Sequence, residues 1–135
     1  MRTPDRIVID TNVFVSALVL PLSVPRQSVD KALAAAVLFS EATMSELTEV
    51  LYRPKFDDYV SMEERSLFLD QLAVTAEFVS IIQQVRECRD PKDNKFLEVA
   101  LNGRAHLIIT GDADLRALNP WRKITILTPR EYLEL

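Results

Sequence analysis

Short apolar runs alternate with helix-spaced segments along the whole chain. Ile7-Val8-Ile9 is β-branched with no polar alternation, the pattern of a strand covered on both faces. Residues 12–20 carry apolar side chains at helical spacing and stop before Pro21, and residues 25–35 form a second helix leading to a strand near Val37-Leu38-Phe39. Ser40 suits the N-cap of a helix over 41–52 that ends before Pro54. Ser61 with Glu64 reads as a capping box for a helix over 62–76. The run 78–82 predicts another strand, and 93–102 a helix closed by Gly103 in the left-handed conformation. Leu107-Ile108-Ile109-Thr110 is a strand, Gly111 a turn, 112–118 a short helix and 124–127 the closing strand. Pro129 opens a last helical turn at its favoured first position.

Short apolar strands alternating with helices predict an α/β fold with a parallel sheet covered on both faces. In such sheets ligands bind in the crevice at the carboxyl ends of the strands. The 135 residues fit one domain over 1–135, large enough to bury roughly two-thirds of its unfolded surface without a staple. No apolar run reaches the roughly 18 residues of a membrane span. Met1-Arg2-Thr3-Pro4-Asp5 lacks the pattern of a signal peptide. Cys88 is the only cysteine, which fits a reducing interior, so a cytoplasmic protein is expected.

One cysteine and one histidine, His106, exclude most zinc sites and leave little for histidine-based nucleophilic catalysis. His106 itself reads as a half-exposed residue at a strand edge. Chemistry must then rest on carboxylates. The net charge of −4 is the wrong sign for a protein that binds nucleic acid by overall electrostatics, but a bound cation inverts the local charge.

Asp10 follows the first strand directly, and Asp112 follows the strand that ends near Thr110. If those strands are parallel, both carboxylates lie on one edge. Asp93 opens the helix before the second of these strands, and Glu46 sits mid-helix near the apolar positions Leu47, Val50 and Leu51. Taken singly, Asp10, Asp93 and Asp112 read better as helix N-caps, and Glu46 better as a solvated residue. Taken together, acids at one edge with no basic partner at matching spacings repel one another unless a cation binds. Oxygen-only ligands suit Mg²⁺ or Mn²⁺, which can activate water at a phosphoryl centre. Thr11 and Asn12 could orient Asp10 or contact a phosphate, Thr110 could support Asp112, and Arg89, Lys92, Lys95, Arg53 and Lys55 could guide a phosphate backbone. Each of these also reads as an ordinary turn or solvated residue. Met44, Met62, the phenylalanines and Trp121 read as packing, not as a platform for bases.

The motif Ile7-Val8-Ile9-Asp10-Thr11-Asn12-Val13 resembles the opening of PIN domains. Ser45-Glu46-Leu47 with Val50 to Phe56, then Asp90-Pro91-Lys92-Asp93-Asn94-Lys95-Phe96-Leu97, then Leu107 to Asp114, resemble the later motifs of one PIN subgroup in the same order. That subgroup is described as the toxin component of prokaryotic toxin–antitoxin systems. The resemblance spans essentially the whole chain. It implies a three-layer α/β/α fold around a mostly parallel sheet, Mg²⁺- or Mn²⁺-dependent endoribonuclease activity, and a VapC-like toxin that dimerises and is silenced by a cognate antitoxin. Carried over by position, it implies Asp10, Glu46, Asp93 and Asp112 as metal-binding and catalytic residues. Asp114 could supplement or replace Asp112, and Asp90 is a further neighbour. Ala105-His106 and the glycine-free loop Pro21-Leu22-Ser23-Val24-Pro25 depart from the subgroup without removing an acid.

The expected reaction is attack of an activated water on phosphorus, in line, with departure of the ribose 3′-oxygen. Two other classes compete. One is an aspartyl phosphotransfer domain with Asp10 as nucleophile, disfavoured by Asn12 where a second aspartate is usual. The other is a non-catalytic PIN module that acts only in protein contacts.

Overall fold

The computed structural model describes residues 5–135; Met1 to Pro4, read above for their lack of a leader pattern, lie outside it. Five strands form one sheet in the order β3-β2-β1-β4-β5, and every pairing is parallel. They are β1 (Arg6–Ile9), β2 (Ala36–Phe39), β3 (Glu77–Phe78), β4 (Leu107–Ile109) and β5 (Thr125–Leu127). Between them run α1 (Thr11–Val19), α2 (Val24–Leu33), α3 (Glu41–Leu51), α4 (Met62–Thr75), α5 (Asn94–Asn102) and α6 (Ala113–Arg116), and α7 (Pro129–Leu133) follows the last strand.

The central strand shows why its residues are continuously apolar. Ile7 and Ile9 face a core built with Phe14 and Ala17 of α1, Val29 of α2, Leu47 and Leu51 of α3 and Leu72 of α4. Val8 faces the opposite core, with Phe96, Leu97 and Ala100 of α5 and Leu115 of α6. Successive strand residues point to opposite faces, so a strand covered twice has no polar position to spare. The result is the expected three-layer α/β/α arrangement. Among the described residues no helix is long and apolar enough to cross a membrane.

The caps at Ser40 and Ser61 form as the sequence suggests. Each serine hydroxyl accepts from the backbone three residues on, and Thr128 builds a third capping box ahead of α7. Two expectations are corrected. First, the strand expected over 78–82 pairs only at Glu77 and Phe78. The chain beyond is held by side chains of α5 at a spacing of four: Asn102 accepts from the Ile82 and Gln83 amides at 3.0 and 2.9 Å, Glu98 from Val85 at 3.1 Å and Asn94 from Cys88 at 2.8 Å. Those carboxyl and amide groups satisfy the backbone that a ladder would otherwise satisfy.

Second, Gly103 is not left-handed; its φ is −90°, and Arg104 takes the positive φ, 55°. Glycine is required at 103 by space. A Cβ there would stand 2.8 Å from Leu38 Cδ1 and 2.9 Å from Val79 Cγ2. Arg65 on α4 is fully buried. It donates to the carbonyls of Leu51 and Val60 and to Asp57, tying the end of α3 and the loop after it to α4.

Gly103→Ala should lower stability by about 1–3 kcal/mol through overpacking. Gly111→Ala, whose Cβ would meet nothing within 4 Å, should stay within about 0.5 kcal/mol of wild type. Urea melts of the two variants check the contrast; equal losses would show that crowding at Gly103 is not the constraint.

Candidate metal centre

The parallel pairing decides where the acids go. Ile7, Val8 and Ile9 lie opposite Leu107, Ile108 and Ile109, so β1 and β4 end together. The Asp10 amide extends that ladder, donating to the Ile109 carbonyl at 3.0 Å, and Thr110 donates its amide to Leu127 of β5 at 2.8 Å. Asp10 and Thr110 are both buried.

One hydroxyl connects two aspartates. Thr110 Oγ1 donates to Asp10 Oδ2 at 2.7 Å and accepts from the Asp112 amide at 3.0 Å. Asp10 also caps α1 through the Asn12 amide, and Asp112 caps α6 through the Leu115 amide at 3.0 Å. The capping readings of these two residues therefore hold, and both still present carboxylate to the sheet edge.

Asp93 differs from them. It ends a short 3₁₀ turn (Pro91–Asp93) and makes no side-chain cap. Burial, a hydrogen bond with the Asp112 carboxyl and the charges of Asp112, Asp10 and Asp90 push its pKa up to about 7. Burial penalises the charged carboxylate first, and the neighbouring Asp112 carboxyl adds to the upward shift. Asp10 is also raised, first by burial and then by the charges of Asp112 and Glu46.

Glu46 closes the group from α3. Its Oε1 accepts from Lys95 Nζ of α5 at 2.8 Å, and its Oε2 from the Thr11 hydroxyl. The expectation of acids without a basic partner is thus corrected: Lys95, 49 positions away, is that partner for Glu46. Lys92 is exposed beside Asp93, and Asp90 accepts from the Lys92 amide at 3.1 Å. Asn12 is exposed at the start of α1. Asp114, half-buried in α6, raises the pKa of the buried Cys88 thiol along with Asp93 and Asp112, after burial itself. Arg53 instead pairs with Glu49, and Lys55 lies over the Phe56 ring. His106 lies at the start of β4, remote from the acids, where its Nδ1 accepts from the Arg6 amide.

The structure thus brings Asp10, Glu46, Asp93 and Asp112 to one edge with Thr11 and Thr110 between them. As placed, no three acid, histidine or cysteine groups among the described residues converge at ligand spacing. The donor set these acids offer is all oxygen, the ligand chemistry that suits Mg²⁺ or Mn²⁺.

The electrostatics set a pH dependence. With its folded pKa raised to about 7, Asp93 keeps a proton that the unfolded chain releases near its ordinary value of 3.8. The folded state therefore binds more protons across that window, and stability falls as pH rises from about 4 to about 7. Thermal melts in EDTA should show a higher Tm at pH 5.5 than at pH 8, and Asp93→Asn should flatten the difference. An unchanged slope in that variant would mean that Asp93 is not the group responsible.

A PIN domain family model matches residues 6–114. An uncharacterised protein of Methanocaldococcus jannaschii is 34% identical over 140 residues, covering 96% of this chain and 90% of that protein. Among solved structures, the fold is similar to a chain of VapBC2 from Rickettsia felis, bound to a DNA fragment from its promoter. The TM-score is 0.57 and the identity 11%, over 90% of this chain and 96% of that one. It is also similar to VapC20 of Mycobacterium tuberculosis, a toxin that cleaves the sarcin–ricin loop. There the TM-score is 0.54 and the identity 14%, over 88% of this chain and 98% of that one. At these identities the solved structures speak for the fold. The family model and the archaeal relative carry the assignment further, because they match the chain across the same strand ends that gather the acids: this chain belongs to the PIN domain family.

Proposed function

We propose that this chain, one PIN domain over 1–135, is a divalent-metal-dependent endoribonuclease and the toxin of a toxin–antitoxin pair. The observation that carries the reading is the gathering of Asp10, Glu46, Asp93 and Asp112 at the carboxyl edge, with Asp93 raised to about 7. Membership of the PIN family and the likeness to VapC folds support it. The partners that follow from the reading are RNA as substrate, a cognate antitoxin protein and a second copy of the chain. The single buried cysteine fits a cytoplasmic setting.

Asp10, Glu46, Asp93 and Asp112 would hold one or two Mg²⁺ or Mn²⁺ ions, with Asp114 as a further donor. When bound, the ion supplies Lewis acidity for the phosphoryl group and lowers the pKa of water. The chain's own groups do the rest. Thr110 fixes the Asp10 carboxylate, and Thr11 and Lys95 fix Glu46. Asn12 and Lys92, both exposed, would meet a phosphate.

Purified protein should cleave a mixed RNA pool with Mg²⁺ or Mn²⁺, stop in EDTA, and lose at least about 100-fold in rate as Asp10→Asn. The same ions should raise the wild-type Tm at pH 8 and leave Asp10→Asn nearly unmoved. Folded, antitoxin-free protein that neither cuts RNA nor gains stability from either ion would point instead to the non-catalytic module.

A further inference from the structure

The carboxyl edge continues past the acids. Ile7 lies opposite Val37 and Phe39 opposite Phe78, so the same register sets Asp10, Ser40 and Val79 side by side at the ends of β1, β2 and β3. Val79 thus stands two strand spacings from Asp10, roughly 10 Å. Between residues 78–81 and the first turns of α3 lies an open cavity of about 740 Å³, lined by Ser40, Glu41, Ser45, Phe78, Ser80 and Ile81 among others. That volume suits a small ligand.

Phe78 belongs to a column of three rings. Phe14 stacks on Phe39 at 5.3 Å, and Phe39 on Phe78 at 6.3 Å with 30° between planes. The inner two are buried, whereas Phe78 is 50% exposed and lines the cavity. An aromatic ring fixed from behind and open in front is a stacking platform. The exposed hydroxyls of Ser45 and Ser80 have no hydrogen-bond partner among the described residues, and the exposed Glu41 carboxylate stands beside them. No lysine or arginine lines the cavity, and Glu41 would repel a phosphate there. The ligand this chemistry accepts is therefore a base rather than a phosphate. It offers a π face to Phe78 and an exocyclic amine to Glu41, as cytosine N4 does to a carboxylate.

We propose that this cavity is a nucleobase subsite beside the acid cluster, holding an amine-bearing base of single-stranded RNA stacked on Phe78 and read by Glu41, Ser45 and Ser80. The inference rests on the ribonuclease reading above. It departs, at Phe78, from the expectation that the phenylalanines only pack.

Fluorescence anisotropy with fluorescein-labelled oligo-A, oligo-C and oligo-U, in EDTA, reads binding without turnover. The proteins to compare are wild type, Phe78→Leu, which keeps an apolar contact with Phe39, and Glu41→Gln. Wild type should bind oligo-A and oligo-C more tightly than oligo-U. Phe78→Leu should weaken binding at least about fivefold, and in the cleavage assay its KM should rise more than its kcat falls. Glu41→Gln should narrow the preference for A and C over U. Unchanged oligonucleotide binding in folded Phe78→Leu, with cleavage intact, overturns the subsite and leaves the ribonuclease standing. Loss of self-association in that variant by light scattering, with RNA binding unchanged, overturns it in favour of a contact between copies. Wild type that neither binds nor cuts any RNA overturns both.

Discussion

Acids cannot be gathered on one edge of a sheet without something to answer their mutual repulsion, and much of the local structure here is that answer. Asp10 and Asp112 are each held by a backbone amide at a helix start, where the free N–H groups favour negative charge. The Thr110 hydroxyl binds both residues, as donor to one and acceptor from the other. Glu46 is answered by a cation, Lys95, and a hydroxyl, Thr11. Among the described residues Asp93 has no such partner. The charge left over appears there as a proton retained to about pH 7, because deprotonation would bury a charge and set it against Asp112.

A site of this kind also needs the chain around it to stand still, and two polar devices supply that where the sheet does not. Asn94, Glu98 and Asn102 present one polar row along α5 that satisfies the amides of Ile82, Gln83, Val85 and Cys88. The row leads directly to Asp90 and Asp93, so the turn carrying the titrating acid hangs from a helix rather than from a strand. Arg65 does the corresponding work on the other side, holding the loop that follows the Glu46 helix. Stranding its carbonyl partners would cost roughly 1–3 kcal/mol for each one left unmet.

What could be read from the residues alone follows from how local its cause is. Consecutive β-branched positions at Ile7–Ile9, hydroxyl caps at Ser40 and Ser61 and the order of strands and helices depend on near neighbours, and the structure bears them out. The convergence of Asp10 and Asp112 required only that β1 and β4 be parallel. The rest depends on contacts remote in sequence. Gly103 is glycine because Leu38 and Val79 crowd it, not because its φ is positive. Lys95 answers an acid 49 positions away, and a run that favours a strand at 78–82 finds its hydrogen bonds on a helix instead. The polar spacing of four at 94, 98 and 102 was visible, and it was the one signal that could have displaced the strand.

Net charge now takes a more definite meaning. A protein at −4 attracts no polyanion by its overall field. On the ribonuclease reading, affinity must therefore be built locally: a cation among the acids to admit the phosphate, exposed Lys92 beside it, and an uncharged contact further along the edge. A stacked base serves that last need well, because stacking gains little from positive charge and is weakened little by salt, whereas phosphate contacts lose affinity steeply as salt rises. An acidic nuclease that binds through one metal-bridged phosphate and one stacked base should therefore show a shallow dependence on salt. A basic groove would make the dependence steep.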